Sequence, residues 1–153
     1  MATPEERLAE LGLEVPELVA PLAAYVPAVR TGDLVWTAGQ LPLVGGQLLA
    51  SGRVGADVDA EQAYEAARVC SLNALAAVSS VVGSLSAVTR VVKLVGFVAS
   101  APGFVAQPGV VNGASELLGE VFGDSGGHAR SAVGVFSLPL DAPVEIELIV
   151  EVK

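Results

Sequence analysis

Val144-Glu145-Ile146-Glu147-Leu148-Ile149-Val150-Glu151-Val152, near the end of the 153-residue sequence, repeats with a period of two. Val144, Ile146, Leu148, Val150 and Val152 point one way, and Glu145, Glu147, Ile149 and Glu151 the other. Such a strand packs one face on a core and presents carboxylates on the face left uncovered. Immediately before it, residues 130–137 form another β-rich run, joined through Leu138-Pro139-Leu140-Asp141. Earlier still, Pro108 to Phe122 carries Val110/Val111, Ala114, Leu117/Leu118 and Val121/Phe122 at helical spacing. Gly123-Asp124-Ser125-Gly126-Gly127 then reads as a flexible turn.

Farther out, Val88 to Ser100 is a run of β-formers, with Val91, Val92, Leu94, Val95, Phe97 and Val98. Asp59 opens the longest helix, with Gln62 as its capping partner three residues on. Ala63, Ala66, Ala67, Cys70, Ala74, Leu75, Val78 and Val81 give that helix one apolar stripe, ending near Gly83. Cys70 on this stripe reads as a small buried hydrophobe. From Tyr25 to Val54, β-rich Leu34-Val35-Trp36-Thr37 between turns at Gly32-Asp33 and Gly45-Gly46 predicts a meander of two or three antiparallel strands. Thr3-Pro4-Glu5-Glu6 starts a short helix with Thr3 as cap and Glu6 closing the box. The expected organisation is an N-terminal helical extension over 1–20 and one domain over 21–153. The expected fold is α+β: a mixed, largely antiparallel sheet with both long helices on one face.

Composition narrows the function classes. The chain is 52% hydrophobic and 16% charged, with mean hydropathy +0.62. A membrane span needs about 18–20 consecutive apolar residues, and Ala74 to Val92 is interrupted by Ser79, Ser80, Gly83, Ser84 and Ser86, then by Thr89 and Arg90. The excess apolar surface is therefore expected in a buried sheet and a subunit interface. Seventeen acids against eight bases give −9, and without a basic run there is no electrostatic drive toward phosphate backbones. Cys70 is the one cysteine, so neither a disulfide framework nor a Cys-based zinc site is expected. The Met1–Glu6 stretch lacks a signal peptide's pattern, and the cytoplasm is the expected compartment.

The common catalytic templates are missing: no P-loop, no G-x-G-x-x-G after a strand, and no G-x-S-x-G elbow between a strand and a helix, since Gly123-Asp124-Ser125-Gly126-Gly127 follows an expected helix instead. Metal binding would rest on carboxylates and His128 without ligand spacing, so neither metal nor cofactor is expected. What stands out is Gly126-Gly127-His128-Ala129-Arg130-Ser131-Ala132-Val133. Arg130 enters an apolar strand and needs a partner, either a protein glutamate or a ligand carboxylate. Strand alternation puts His128 and Ala132 on its face. His128 is thus a candidate proton donor to a leaving amine, or else the exposed end of a loop.

Three blocks carry a resemblance. His128 to Glu147, "HARSAVGVFSLPLDAPVEIE", is similar to the C-terminal signature of the RidA/YjgF family, the enamine/imine deaminases also known as the endoribonuclease L-PSP family. Tyr25 to Leu43, "YVPAVRTGDLVWTAGQLPL", resembles its tyrosine and its Gly-Gln-Leu-Pro block. Pro108 to Gly123, "PGVVNGASELLGEVFG", resembles its asparagine-containing helix. Departures mark a divergent branch: Gly127-His128 stands where many members have proline, Ala132 where active members often have cysteine, and Phe136 where a small or basic residue is usual.

The resemblance implies a chorismate mutase-like fold and a homotrimer with ligand clefts between subunits. It implies that Arg130 grips the carboxylate of a small metabolite and that Glu145 activates water. Tyr25 and Gly39 would line the cleft, and Asn112 would contribute from near the subunit boundary. The implied reaction is cofactor-free hydrolysis of 2-imino acids or their enamines to a 2-keto acid and ammonia. The alternative is a non-catalytic, carboxylate-binding or regulatory member of the same family.

Overall fold

Local capping fixes the starts of the first two helices. The computed structural model describes residues 1–21 and 23–153. Helix α1 spans Pro4–Glu10, and the Thr3 hydroxyl and Glu6 carboxylate satisfy each other's backbone N–H groups. Asp59 and Gln62 form the same box at the start of α2, Ala60–Val82, which ends at Gly83. Helix α3 spans Gln107–Phe122 with Pro108 in its first turn, where a missing N–H costs nothing. By length and composition α2 could cross a membrane, but 56% of its most apolar window is buried inside the fold. It is a core helix here.

Among the described residues, seven strands accompany these helices: β1 Ala28–Thr31, β2 Leu34–Thr37, β3 Leu43–Val44, β4 Gln47–Leu48, β5 Val88–Ala99, β6 Ala129–Val135 and β7 Val144–Val152. Five form one sheet in the order β1-β2-β7-β5-β6, antiparallel except for the parallel pair β5/β6. The expected mixed α+β architecture is thus present. Of the expected meander of two or three antiparallel strands, the pair β1/β2 is present, while β3 and β4 turn at Gly45-Gly46 as a separate two-stranded hairpin. Two residues per strand is too short to extend the main sheet.

Helices α2 and α3 cover one sheet face. Leu94, Ile146, Leu148, Leu117 and Leu118 are almost completely buried between the layers, each contributing roughly 1.5–3 kcal/mol of transfer free energy. Leu8 of α1 enters this same core. The apolar stripe of α2 stops at Val78, since Val81 is 37% exposed. Cys70 is buried as expected, and burial raises its thiol well above the ordinary range. The two helices press against each other at Gly113, where a Cβ would stand 2.1 Å from the Tyr64 carbonyl oxygen. Position 113 therefore excludes any side chain without displacement of a helix.

The other sheet face carries Glu145, Glu147, Ile149 and Glu151 of β7, as the alternation requires, beside Lys93, Val95 and Phe97 of β5. Val29 at 52%, Trp36 at 47% and Val133 at 44% exposure lie on this face, without a helix above them. Gly123–Gly126, expected as a flexible turn, is a 3-10 turn with Gly126 buried beneath the Leu118 carbonyl. The Leu138–Asp141 connection places both Leu140 and Asp141 at positive φ.

Candidate functional site

Arg130 leaves the edge strand β6 on the helix side, because its parallel register partner is the buried Leu94. Its guanidinium reaches α3. Nη1 donates to Asn112 Oδ1 at 2.8 Å and to Ser115 Oγ at 3.1 Å, and Nη2 donates to the Pro108 carbonyl at 3.2 Å. Positions 108, 112 and 115 are one stripe of a helix, spaced by four and three, so all three acceptors face β6 together. The structural Arg–Glu pair left open by the sequence is absent: the carboxylates of β7 project from the opposite sheet face. Among the described residues no carboxylate pairs with Arg130. The Nε–H and one Nη2–H are left without an acceptor there, a half-buried cationic edge suited to a two-point carboxylate contact.

His128, immediately before β6, is half-buried and not an exposed loop end. Its Nδ1 lies 2.6 Å from the Gly126 carbonyl oxygen and its Nε2 2.9 Å from Ser115 Oγ. A carbonyl only accepts, so Nδ1 carries a proton and, in the neutral ring, Nε2 accepts the Ser115 hydroxyl. Ser115 thereby joins His128 to Arg130. Sequence reasoning missed it, although its place three residues after Asn112 on an amphipathic helix was the available signal.

Glu145 sits in a different place. Between the pairs Trp36–Ile149 and Gln40–Ile146 the β2 side has one more residue than β7, a β-bulge. The Thr37 hydroxyl takes the Leu148 N–H, and Gln40 exchanges two backbone bonds with Ile146. The displaced backbone brings Gly39 against Glu145, where a Cβ would stand 2.6 Å from Oε2. Glycine makes room for the carboxylate. Burial, and secondarily the charge of Glu147, lifts the Glu145 carboxyl above its usual range. Tyr25 and Gly39 line one narrow groove with Pro27 and Gln40.

The six residues singled out by sequence therefore fall into two groups. Tyr25, Gly39 and Glu145 are together; Asn112, His128 and Arg130 are together. Two strand spacings and three residues of offset separate the Arg130 and Glu145 backbones by roughly 14 Å, on opposite faces. One chain alone does not bring the cation and the raised carboxyl to a common ligand.

Residues 5–152 match the model of a family described as "YjgF/chorismate mutase-like, putative endoribonuclease". Protein TCP17 of Trypanosoma cruzi is 43% identical over 149 residues, covering 95% of this chain and 92% of that protein. Atu1372 of Agrobacterium tumefaciens, a crystal structure of unknown function, is 48% identical, with TM-score 0.92 over 99% of this chain and 94% of its own. A crystal structure from Shewanella oneidensis MR-1 named a "putative endoribonuclease" is 36% identical, with TM-score 0.96 over 99% of this chain and all of its own.

Proposed function

The chain belongs to the YjgF/RidA-like family, and from that premise we propose that it hydrolyses small 2-imino acids, or their enamine tautomers, to 2-oxo acids and ammonia. The observation carrying this reading is the state of Arg130. It is a half-buried guanidinium held by three neutral oxygens, with a hydrogen-bonding edge that no carboxylate among the described residues occupies. An uncompensated cation in that setting is a seat for a ligand carboxylate.

The chemistry asks for little else. An iminium carbon is already electrophilic, so placing a water and removing its proton does most of the work. Glu145, raised by burial, is the base for that step. The water oxygen bonds to C2 as Glu145 takes the proton. The resulting carbinolamine then transfers a proton to nitrogen, loses ammonia and forms the 2-oxo acid. No redox or group carrier enters this balance.

Since Arg130 and Glu145 of one chain face apart, the site in this reading lies between copies, Arg130 and Asn112 from one and Tyr25, Gly39 and Glu145 from the next. The uncovered face with Trp36, Val95 and Ile149 is the surface the copies would share. Three copies, as the family resemblance implies, would total about 46 kDa from chains of 15.4 kDa. The endoribonuclease label of the Shewanella relative is set aside because a net charge of −9 repels phosphate backbones.

The test is ammonia release from freshly generated 2-iminobutyrate or 2-iminopropionate, comparing wild type with Arg130→Ala and Glu145→Gln, alongside light scattering. Turnover lost in both variants supports the reading. Binding of 2-oxobutyrate without turnover in wild type would instead favour a carboxylate-binding regulatory protein. A monodisperse monomer that turns over substrate would refute the shared site.

A further inference from the structure

We infer that His128 is a positioning residue that acts on Arg130 through the Ser115 hydroxyl, coupling the carboxylate affinity of the site to the protonation of the imidazole. This rests on the carboxylate reading of Arg130 and assigns the site a pH response. Two hydrogen bonds, of 2.9 and 3.1 Å, link Nε2 to Oγ and Oγ to Nη1. They put the imidazole within about 6 Å of the guanidinium nitrogen.

The two states of the ring place different demands on one oxygen. Nδ1 donates to the Gly126 carbonyl in both. With a neutral ring, Ser115 gives its proton to Nε2, and its lone pairs are free for Arg130. The hydroxyl cannot turn away without breaking a bond, and the guanidinium is held with its Nε/Nη2 edge outward. With a protonated ring, Nε2–H and Nη1–H both donate to Oγ, and two positive charges flank a single hydroxyl. A carboxylate on Arg130 relieves that repulsion, so it binds the protonated form more tightly. By reciprocity, the bound carboxylate favours protonation.

The other charged groups around the imidazole are Asp124 of the 3-10 turn, Arg90 of β5 and Glu151 of β7, which share a surface hollow with His128. From α3 the polar group facing it is Ser115, while Glu116 and Glu120 are engaged by Tyr64 and Arg68 of α2. Among these two acids and two bases, Arg130 is the charge linked to the ring by a chain of hydrogen bonds, through Ser115.

The experiment is calorimetric titration with 2-oxobutyrate at about pH 5.5 and about pH 8, on either side of the range where imidazoles titrate. It is run in wild type and in a Glu145→Gln background, where the raised carboxyl no longer contributes. We expect about five-fold tighter binding at the lower pH, the low end of the coupling between linked sites. His128→Gln and Ser115→Ala should remove that ratio, and Ser115→Thr, which restores the hydroxyl, should recover it. A Ser115→Ala protein that keeps the full ratio overturns the inference. A second readout needs no ligand: His128 is the one histidine of the chain, so its ring signals are unambiguous by NMR. Arg130→Gln should move the imidazole titration to higher pH, and an unmoved curve refutes the coupling. A moved curve with no 2-oxobutyrate binding at either pH instead removes the carboxylate reading, and the affinity role with it.

Discussion

Replacing Gly113 by alanine tests the frame on which Asn112 and Ser115 are mounted. On an exposed helix the change would stabilise by about 1 kcal/mol, because glycine is the poorer helix former. At position 113 the new methyl would lie 2.1 Å from the Tyr64 carbonyl oxygen and 2.9 Å from its carbon. A comfortable carbon–oxygen contact needs about 3.3 Å, so α3 must move from α2 by about 1 Å. Neither offending atom belongs to a side chain that can rotate away. Overpacking of this kind costs about 1–3 kcal/mol, and a backbone obstacle puts the cost at the upper end. Net destabilisation is therefore about 2 kcal/mol, or roughly 4–8 °C in Tm for a chain of this size. The assay is thermal unfolding at fixed protomer concentration, since assembly makes Tm concentration-dependent. Gly119→Ala on the same helix is the control: nothing lies within 4 Å of its Cβ, so its Tm should rise. If both variants rise together, the close helix crossing is wrong. A 1 Å shift of α3 would also misplace the acceptors of Arg130, so 2-oxobutyrate binding should weaken in Gly113→Ala but not in Gly119→Ala.

Gly39→Ala should behave in the opposite way: its methyl meets the free end of the Glu145 side chain, which can swing aside. Unfolding should stay within about 1 kcal/mol of wild type while turnover drops at least ten-fold, and unchanged turnover would mean Glu145 is not the base. Glu145→Gln should raise stability at neutral pH, because the folded state holds this carboxyl's proton more tightly than the unfolded chain does. With more protons bound in the native state, wild-type stability falls as pH rises from the unfolded glutamate range, about 4.3, through the raised folded value. The advantage of Glu145→Gln should vanish below that window; an advantage constant from pH 3 to 8 in unfolding experiments would contradict the burial of the carboxyl.

How much of this was legible in the sequence follows from what each signal physically encodes. Thr3/Glu6 and Asp59/Gln62 announce helix starts because capping is a local interaction, complete within four residues. Residues 144–152 announce a half-buried strand because alternation needs no knowledge of neighbours. Strand β5 was legible as a strand but not in its facing. Its irregular register against β7 puts Val88, Val91 and Leu94 on the core side at spacings of three, a pattern only the partner strand dictates. The 3-10 turn at Gly123–Gly126 was invisible because its packing under α3 depends on tertiary contact. Each half of the site followed from strand parity and family motif. Their separation required the strand order β1-β2-β7-β5-β6, which neither signal contains.

That separation has a consequence for catalysis. Were Arg130 and Glu145 neighbours in one chain, they would form an ion pair. The cation's hydrogen-bonding edge would be filled, and the carboxyl would be held down as a weak base. Opposite faces prevent this. Arg130 keeps neutral partners, Glu145 keeps its raised affinity for a proton, and on the proposed assembly they approach only across a subunit boundary with a ligand between them. The arrangement predicts complementation. Arg130→Ala and Glu145→Gln are each inactive alone, since every site of either homo-oligomer lacks one function. When equal amounts of the two are co-refolded, a site is intact when its Arg130 comes from the Glu145→Gln chain and its Glu145 from the Arg130→Ala chain. Random mixing gives each condition a chance of about one half, so ammonia release should return to about one quarter of wild type. The figure holds for any closed ring of adjacent-pair sites, and therefore tests sharing independently of copy number. If light scattering shows mixed oligomers and activity stays at the level of the parents, both functions reside in one chain, and the division of the site between two faces of the sheet is not the catalytic arrangement.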